Sequence, residues 1–395
     1  VFSSPAVLEN AAGTLVILLQ DEALEGEVYV VSFVLTNRVM GQSARTVTIE
    51  ASGAVNVALA QMDSLSGNDQ PLLIVGFAAA AANQSTPSAG AVNTVRLSFA
   101  TLASLRKSEG AAVTLQGLTG SPTPTGTVAV RGELSPSGVS GNEAVRVFGT
   151  SARWTAETGE LVLTARADSA AGLTYSLAFD IKNPISGQSA PPLFISSSGP
   201  DSTQYDVVSG EGNLAPMLVA ELLAAHIAQS SASQREDNTL SITFRARTAL
   251  DVGTEITVSG LTGSVTTPTT ALSVSNAPRF AAVASWARDS GMLVFTVAQQ
   301  TEADTEYTLR VTLRNPAMGQ MARQVRIWSS GIAMTEVAMA TSDGNAEPLL
   351  VAGFTYKSMM QSAAMADHYA EALNVLTPRD NVLTLGFATT ASLLS

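Results

Sequence analysis

The sequence predicts an all-β chain: three tandem antiparallel β-sandwiches in a rod, the third incomplete and completed by strand addition, with a small helical insertion in that third domain. Three observations carry this expectation. One block of sequence recurs three times without gaps. Within it apolar residues alternate with polar ones, as a half-buried strand requires. The 395 residues are 46% hydrophobic, 14% charged and 5% aromatic, and rich in Ser, Thr, Ala, Val and Gly, a strand-leaning balance low in helix-favouring Glu and Lys.

The repeat is read directly. Gly13, Leu15, Val16, Tyr29, Asn37, Gly41, Gln42, Ala44, Ile49, Ser52 and Gly53 reappear 146 residues later, from Gly159 to Gly199, and again after a further 132, from Gly291 to Gly331. Self-similarity of this length marks homologous units. A second block follows in each copy: Pro71, Pro216 and Pro348 each open an apolar run, then come Gln84-Ser85, Gln229-Ser230 and Gln361-Ser362, then strand-like runs from Asn93, Asn238 and Asn381. Copies one and two continue into Ala111 to Ser121 and Gly253 to Ser264, whereas copy three reaches Ser395 without counterparts of Gly253 to about Asn276. The domains expected are 1–139, 140–278 and 279–395, the last short of two strands.

Each element has its pattern. Leu15, Ile17 and Leu19 alternate, then Tyr29, Val31, Phe33 and Leu35, then Val47, Ile49 and Ala51, and the later copies repeat the alternation with Tyr175 to Ile181 and Tyr307 to Leu313. Ser135 to Gly138 and Asn276 to Pro278 read as short linkers stiffened by proline. Ala364 to Leu373 favours helix, and the runs Ala78 to Ala82 and Leu222 to Ala228 are expected to form helical turns. The first residues, from Val1, show no basic then apolar leader, so a processed or excised chain is expected.

Composition narrows function. Acidic residues number 33 against 21 basic, a net charge of −12, with lysine only at 107, 182 and 357; no basic footprint for nucleic acid exists. The longest apolar run, Leu72 to Ala82, is eleven residues against roughly 20 for a membrane span. There is no cysteine, which leaves the redox compartment open. His226 and His368 are not equivalent positions, and no Gly-x-Ser-x-Gly, His-Glu-x-x-His or Walker motif occurs, so no enzyme is expected and no cofactor.

Remaining motifs read as follows. The recurring Asn-Pro-x-x-Gly-Gln (Asn183 to Gln188, Asn315 to Gln320, with Arg38 replacing Pro in copy one) reads as a turn, with glycine at positive φ and glutamine tying the loop down. Acidic loops at Asp63 and Asp69, Asp201 and Asp206, and Asp343, Asn345 and Glu347 are candidate Ca²⁺ ligands, although their spacing differs in every copy. Asn83-Gln84-Ser85 is a sequon on an expected loop, and the hydroxyl-rich tracts carrying Ser121, Thr123 and Thr125, and Thr266, Thr267, Thr269 and Thr270, are candidate sites of covalent glycan.

Assembly is the sharpest expectation. Leu18, Val30 and Val34 stand outward where copy two has Thr164, Ser176 and Asp180, and an apolar outer face invites a partner. Phe194 and Trp328 also fall on outward positions. A third repeat short of two strands exposes unpaired edges. The N-terminal segment of a neighbouring copy (Val1 to Asn10, with Val1, Phe2, Val7 and Leu8) is one candidate to complete it, another chain or residues beyond Ser395 being the others, and Phe387, Leu393 and Leu394 are further interface candidates.

These blocks, the Gly-Leu-Thr-Gly-Ser strand ends (Gly117 to Ser121, Gly260 to Ser264) and the Ala/Ser/Thr-rich style resemble tandem Ig-like repeats in large surface proteins of microalgae and other protists. They are also similar to extracellular fibrils assembled from β-sandwich subunits. The resemblance implies Ig-like sandwiches and a structural, often glycosylated, extracellular or cell-surface role. The function expected is therefore a subunit of a helical filament, a head-to-tail homopolymer. The alternative is a cell-surface adhesin or surface-layer module binding carbohydrate or protein.

Overall fold

The computed structural model describes residues 2, 6–9, 13–135, 138–198, 204–362 and 382–392. The expected helical insertion at Ala364 to Leu373, together with Val1, Asp201, His368, Leu393 and Leu394, lies outside the described residues. Contacts divide the chain into a unit of residues 1–38 and a unit of residues 39–395, taken in turn.

The larger unit opens with β3 (Thr48–Ala51) and β4 (Val57–Gln61), following β1 (Val7–Glu9) and β2 (Thr14–Val16) of the smaller one. Its first ten-stranded sheet comprises β5 (Phe77–Gln84), β6 (Val92–Thr101), β7 (Ala112–Gln116), β8 (Gly126–Glu133), β9 (Ser151–Thr155), β10 (Glu160–Thr164), β11 (Thr174–Lys182), β12 (Phe194–Ser197), β13 (Tyr205–Asp206) and β14 (Val208–Ser209). The order is β13-β12-β7-β10-β9-β8-β11-β6-β5-β14. Strand β8 folds this sheet on itself: its residues 126–129 pair with β9, and residues 130–133 pair with β11. A strand that changes layers in this way makes the corner of a sandwich.

The second sheet repeats the first with β15 (Leu222–Gln229), β16 (Asp237–Ala246), β17 (Glu255–Ser259), β18 (Thr269–Ser275), β19 (Val283–Ala287), β20 (Met292–Thr296), β21 (Glu306–Arg314), β22 (Arg326–Ser330), β23 (Met334–Ala338) and β24 (Ala340–Thr341). The chain continues to a hairpin of β25 (Phe354–Ser362) and β26 (Val382–Thr389). The chain is thus nearly all β.

The unit of folding is offset from the unit of repetition. Strands β5 to β8 come from the back of repeat one and β9 to β14 from the front of repeat two; β15 to β18 and β19 to β24 divide likewise between repeats two and three. The sequence period of 1–139, 140–278 and 279–395 therefore runs across the sheets. The cause is that β12 to β14 return to the first sandwich, β14 pairing parallel with β5, before the chain crosses over to β15.

Three local expectations are corrected. Ala78 to Ala82 and Leu222 to Ala228 are strands, β5 and β15, because Ala80, Ala82 and Ile227 enter a core and the backbone groups pair with β6 and β16. The connection after Ser135 to Gly138 is no plain linker: α1 (Gly141–Phe148) follows, its N-cap Ser140 Oγ accepting from the Glu143 N–H at 3.3 Å. The Ser-x-x-Glu signature of a capped N-terminus was present in the sequence. Gly41, Gly187 and Gly319 have no positive φ; a Cβ on Gly319 would lie 2.6 Å from Gly353 Cα, so close approach of two backbones is what excludes a side chain.

A buried polar network joins the two halves of each sandwich. In the first, Asn93 Nδ2 donates to Gln84 Oε1 at 2.8 Å and to Asn183 Oδ1 at 2.9 Å. Asn183 Nδ2 donates in turn to the Thr86 and Ser88 carbonyls at 3.0 and 2.9 Å. The second repeats it with Asn238, Gln229 and Asn315, the last reaching the Ser231 and Ser233 carbonyls at 3.0 Å. The asparagine read as a turn former is thus fully buried and ties together loops some 80 to 100 residues apart, while Gln188 does hold its own loop, donating to the Met217 carbonyl at 2.8 Å.

Leucine at Asn315 keeps the volume but strands two carbonyls and the Asn238 amide, at about 1–3 kcal/mol for each unsatisfied buried group. Asn315→Leu is expected to lower the stability of the second sandwich by roughly 3 kcal/mol, read as an earlier urea midpoint, whereas the exposed Asp289→Asn leaves it in place.

Candidate assembly site

The seam between the halves follows one template. Strand β6 meets β11 over nine residue pairs, with Tyr175 opposite Phe99, Leu177 opposite Leu97 and Phe179 opposite Val95. Strand β16 meets β21 with Tyr307 opposite Phe244, Leu309 opposite Ile242 and Val311 opposite Leu240. Behind each seam stands an aromatic triad in edge-to-face contact. Phe148 packs 5.2 Å from Phe99 and 5.3 Å from Tyr175; Phe280 packs 5.7 Å from Phe244 and 5.6 Å from Tyr307. Such pairs add about 0.5–1.5 kcal/mol each beyond area burial. The tyrosine hydroxyls accept from the Ala170 and Glu302 N–H groups, five residues upstream, at 2.8 and 3.0 Å.

The unit of residues 1–38 holds the front half of this template. Strands β1 and β2 pair Val7 with Val16 and Leu8 with Leu15, the register in which β9 and β10 pair Arg153 with Val162 and Trp154 with Leu161. Phe2 bridges Leu19 as Phe280 bridges Val297. Phe2 stands 5.6 Å from Tyr29 at an interplanar angle of 85°, and the Tyr29 hydroxyl accepts from the Leu24 N–H at 2.9 Å. Among the described residues the segment corresponding to β11 has no strand partner, and its inward face is bare: Phe33 is 56% exposed where Phe179 is 1%. Of the candidate segment Val1 to Asn10, Val7–Glu9 is paired with β2 within its own repeat.

The hairpin β25–β26 holds the back half. It pairs Met359 with Leu385 and Lys357 with Phe387, and Phe354 packs 5.8 Å from Phe387 as Phe77 packs 6.0 Å from Phe99. Phe387 is 62% exposed, whereas Phe99 and Phe244 are fully buried. Leu383, Leu385, Tyr356 and Met359 are exposed with it. Phe354, Met359, Leu385 and Phe387, with Lys357 and Ser358, line a shallow apolar depression of about 460 Å³. Full burial of such side chains is worth about 1.5–3 kcal/mol each, so this face is costly in water.

The other candidates fall into place individually. Leu18, Val30 and Val34 are exposed. Phe194 on β12 and Trp328 on β22 are half-buried within their sandwiches. At the position of Val34, the first sandwich has Asp180, which accepts from Arg131 and from Thr94 Oγ1 at 2.7 Å; the hydrogen bond from Arg131, then that from Thr94, holds its carboxyl below the usual aspartate range. The second has Thr312, sharing a hydrogen bond with Thr239 at 3.0 Å.

Of the glycan candidates, Asn83 is exposed but lies on strand β5 rather than a loop. Ser121 is buried, its hydroxyl donating to the Lys182 carbonyl at 2.8 Å, and Thr123 and Thr266 accept from the Lys182 and Arg314 N–H groups at 2.7 Å. Those three hydroxyls are structural. Thr125 and Thr269 accept from Ala156 N–H and Ala271 N–H, while Thr267 and Thr270 are exposed. The tracts also anchor the cores, Trp154 and Trp286 donating to the Thr123 and Thr266 carbonyls at 2.9 and 3.1 Å. His226 is exposed and 3.2 Å from Ser342 Oγ. Among the described residues no three His, Asp or Glu side chains cluster to hold a metal ion, and no helix is long and apolar enough to cross a membrane.

No family model matches the chain, and no curated protein matches it. Among solved structures it is similar to the partial N-terminal region of enterococcal surface protein at 7% identity, covering 76% of this chain and 100% of that one with a TM-score of 0.22. It is similar to the collagen adhesin of S. aureus at 9% identity, covering 69% and 94% with a TM-score of 0.21. At TM-scores this far below 0.5, what those surface proteins bind does not transfer to this chain.

Alternation placed Tyr29 and Phe33 on a core face, whereas both are exposed, as are Leu383 and Leu385 of the strand-like run after Asn381. The offset between repeat and sandwich is what uncovers them. Leu385→Ser with Phe387→Ser is expected to lower binding of a hydrophobic dye severalfold at dilute concentration, while the thermal unfolding of the two sandwiches, which contain neither residue, stays unchanged.

Proposed function

We propose that the chain is a structural subunit of an extracellular, glycosylated filament, assembled head-to-tail by β-strand complementation, and that it has no catalytic role. The observation that supports this reading is the half-repeat offset. Both folded sandwiches draw their halves from successive repeats, and the front of repeat one and the back of repeat three are matching halves whose apolar faces are exposed. A heterologous contact of this kind propagates into a filament wherever its rotation does not close a ring. Glycan at Asn83, Thr125, Thr267 or Thr270 would sit on exposed positions, clear of the seam.

The second reading is a cell-surface adhesin or surface-layer module. In this reading the exposed face of the hairpin, with Tyr356, Leu385 and Phe387, meets carbohydrate or a foreign protein instead of a second copy.

Negative-stain imaging across a concentration series, with intact-mass analysis of native material, tests the choice. Uniform fibrils that dissolve on dilution, and a mass above the 40.7 kDa polypeptide, are expected. Single particles at every concentration and the bare polypeptide mass overturn the filament and the glycan together, and favour the adhesin.

A further inference from the structure

We infer that the β25–β26 hairpin is the docking site for residues 28–35 of a second copy of this chain, in a register fixed by the two sandwiches already formed. The inference rests on the filament reading and adds to it the partner segment and the residue-by-residue fit. In both sandwiches the tyrosine of the front half stands opposite the last phenylalanine of the back half, Tyr175 with Phe99 and Tyr307 with Phe244. Carried through the same repeat offsets, Tyr29 of the second copy meets Phe387, Val31 meets Leu385 and Phe33 meets Leu383. These are residues that both halves leave exposed.

Two independent details fit. Phe2 and Tyr29 are already placed as Phe148 and Tyr175 are, at 5.6 Å against 5.3 Å, and Phe387 supplies the third ring of the triad, already set against Phe354 as Phe99 is against Phe77. The outward positions also change as pairs. The seam position that holds Asp180 and Thr94 in the first sandwich, and Thr312 and Thr239 in the second, falls on Val34 and Val382 in the third. A polar pair has become an apolar pair on both sides at once, which accounts for Val34 being 97% exposed in the isolated chain and matches cross-strand pairing. The seam uses no counterpart of β7 or β8.

The chain lacks cysteine, so engineered disulfides report the register without background. Ser98 and Ser176 face each other across the first seam with hydroxyls 2.7 Å apart; the equivalent pair is Gly386 and Val30 of the second copy. Under mild oxidation the Val30→Cys/Gly386→Cys chain is expected to give a reductant-sensitive ladder of dimers and longer oligomers. Val30→Cys/Thr384→Cys, shifted by two residues along the same face, is expected to give at least about tenfold less, because diagonal positions lie beyond disulfide reach. Ser98→Cys/Ser176→Cys, forming within one chain, is the positive control. Equal ladders from the in-register and the shifted pair, or fibrils without cross-links, overturn the register while leaving the filament standing. A cross-linked monomer overturns the second copy as occupant. Neither fibrils nor cross-links overturns both readings.

Discussion

The seam between β6 and β11, and its repeat between β16 and β21, is the constraint on which the architecture rests. It brings together strands separated by about half a repeat period, buries the aromatic triads, and encloses the Gln-Asn-Asn network. An asparagine amide at full burial is tolerated only where every donor and acceptor is met. The network of Gln84, Asn93 and Asn183 meets that condition only when the two strands are in this one register. Hydrophobic alternation alone would permit a slip of two residues; the amides do not.

That seam also couples neighbouring sandwiches. Because repeat two begins in the first sandwich and ends in the second, the chain passes directly between them, and hydrogen bonds also link their loops. The Ala89 N–H donates to the Ala333 carbonyl at 2.9 Å, and Thr335 Oγ1 donates to the Ile185 carbonyl at 2.7 Å. The bridge of Gln188 to Val219 recurs as Gln320 to Val351 and as Gln42 to Ile74. The two sandwiches therefore share covalent chain as well as contacts.

The polar decoration follows from the same geometry. The hydroxyl-rich tracts looked like unstructured acceptor loops, yet Ser121, Thr123 and Thr266 cap strand ends and their neighbouring carbonyls receive the indole N–H of Trp154 and Trp286. Composition alone does not separate a hydroxyl that closes a turn from one that faces solvent. Only the distances do.

The sequence by itself determined the β class, the three copies and the alternation of Tyr29 to Leu35 and its equivalents, because strand periodicity and repetition are local properties written residue by residue. It also held the Ser140-to-Glu143 cap of α1. What only the tertiary structure decided was which half pairs with which. A strand pattern states that one face is apolar and not which strand covers it, so the offset of sandwich from repeat, the burial of Asn183 and Asn315, and the bare faces of Phe33 and Phe387 emerged only when long-range pairing was in view. The strands of Ala78 to Ala82 and Leu222 to Ala228 teach the same lesson: alanine-rich runs favour helix in isolation, and a neighbouring strand with unpaired N–H and carbonyl groups outweighs that preference.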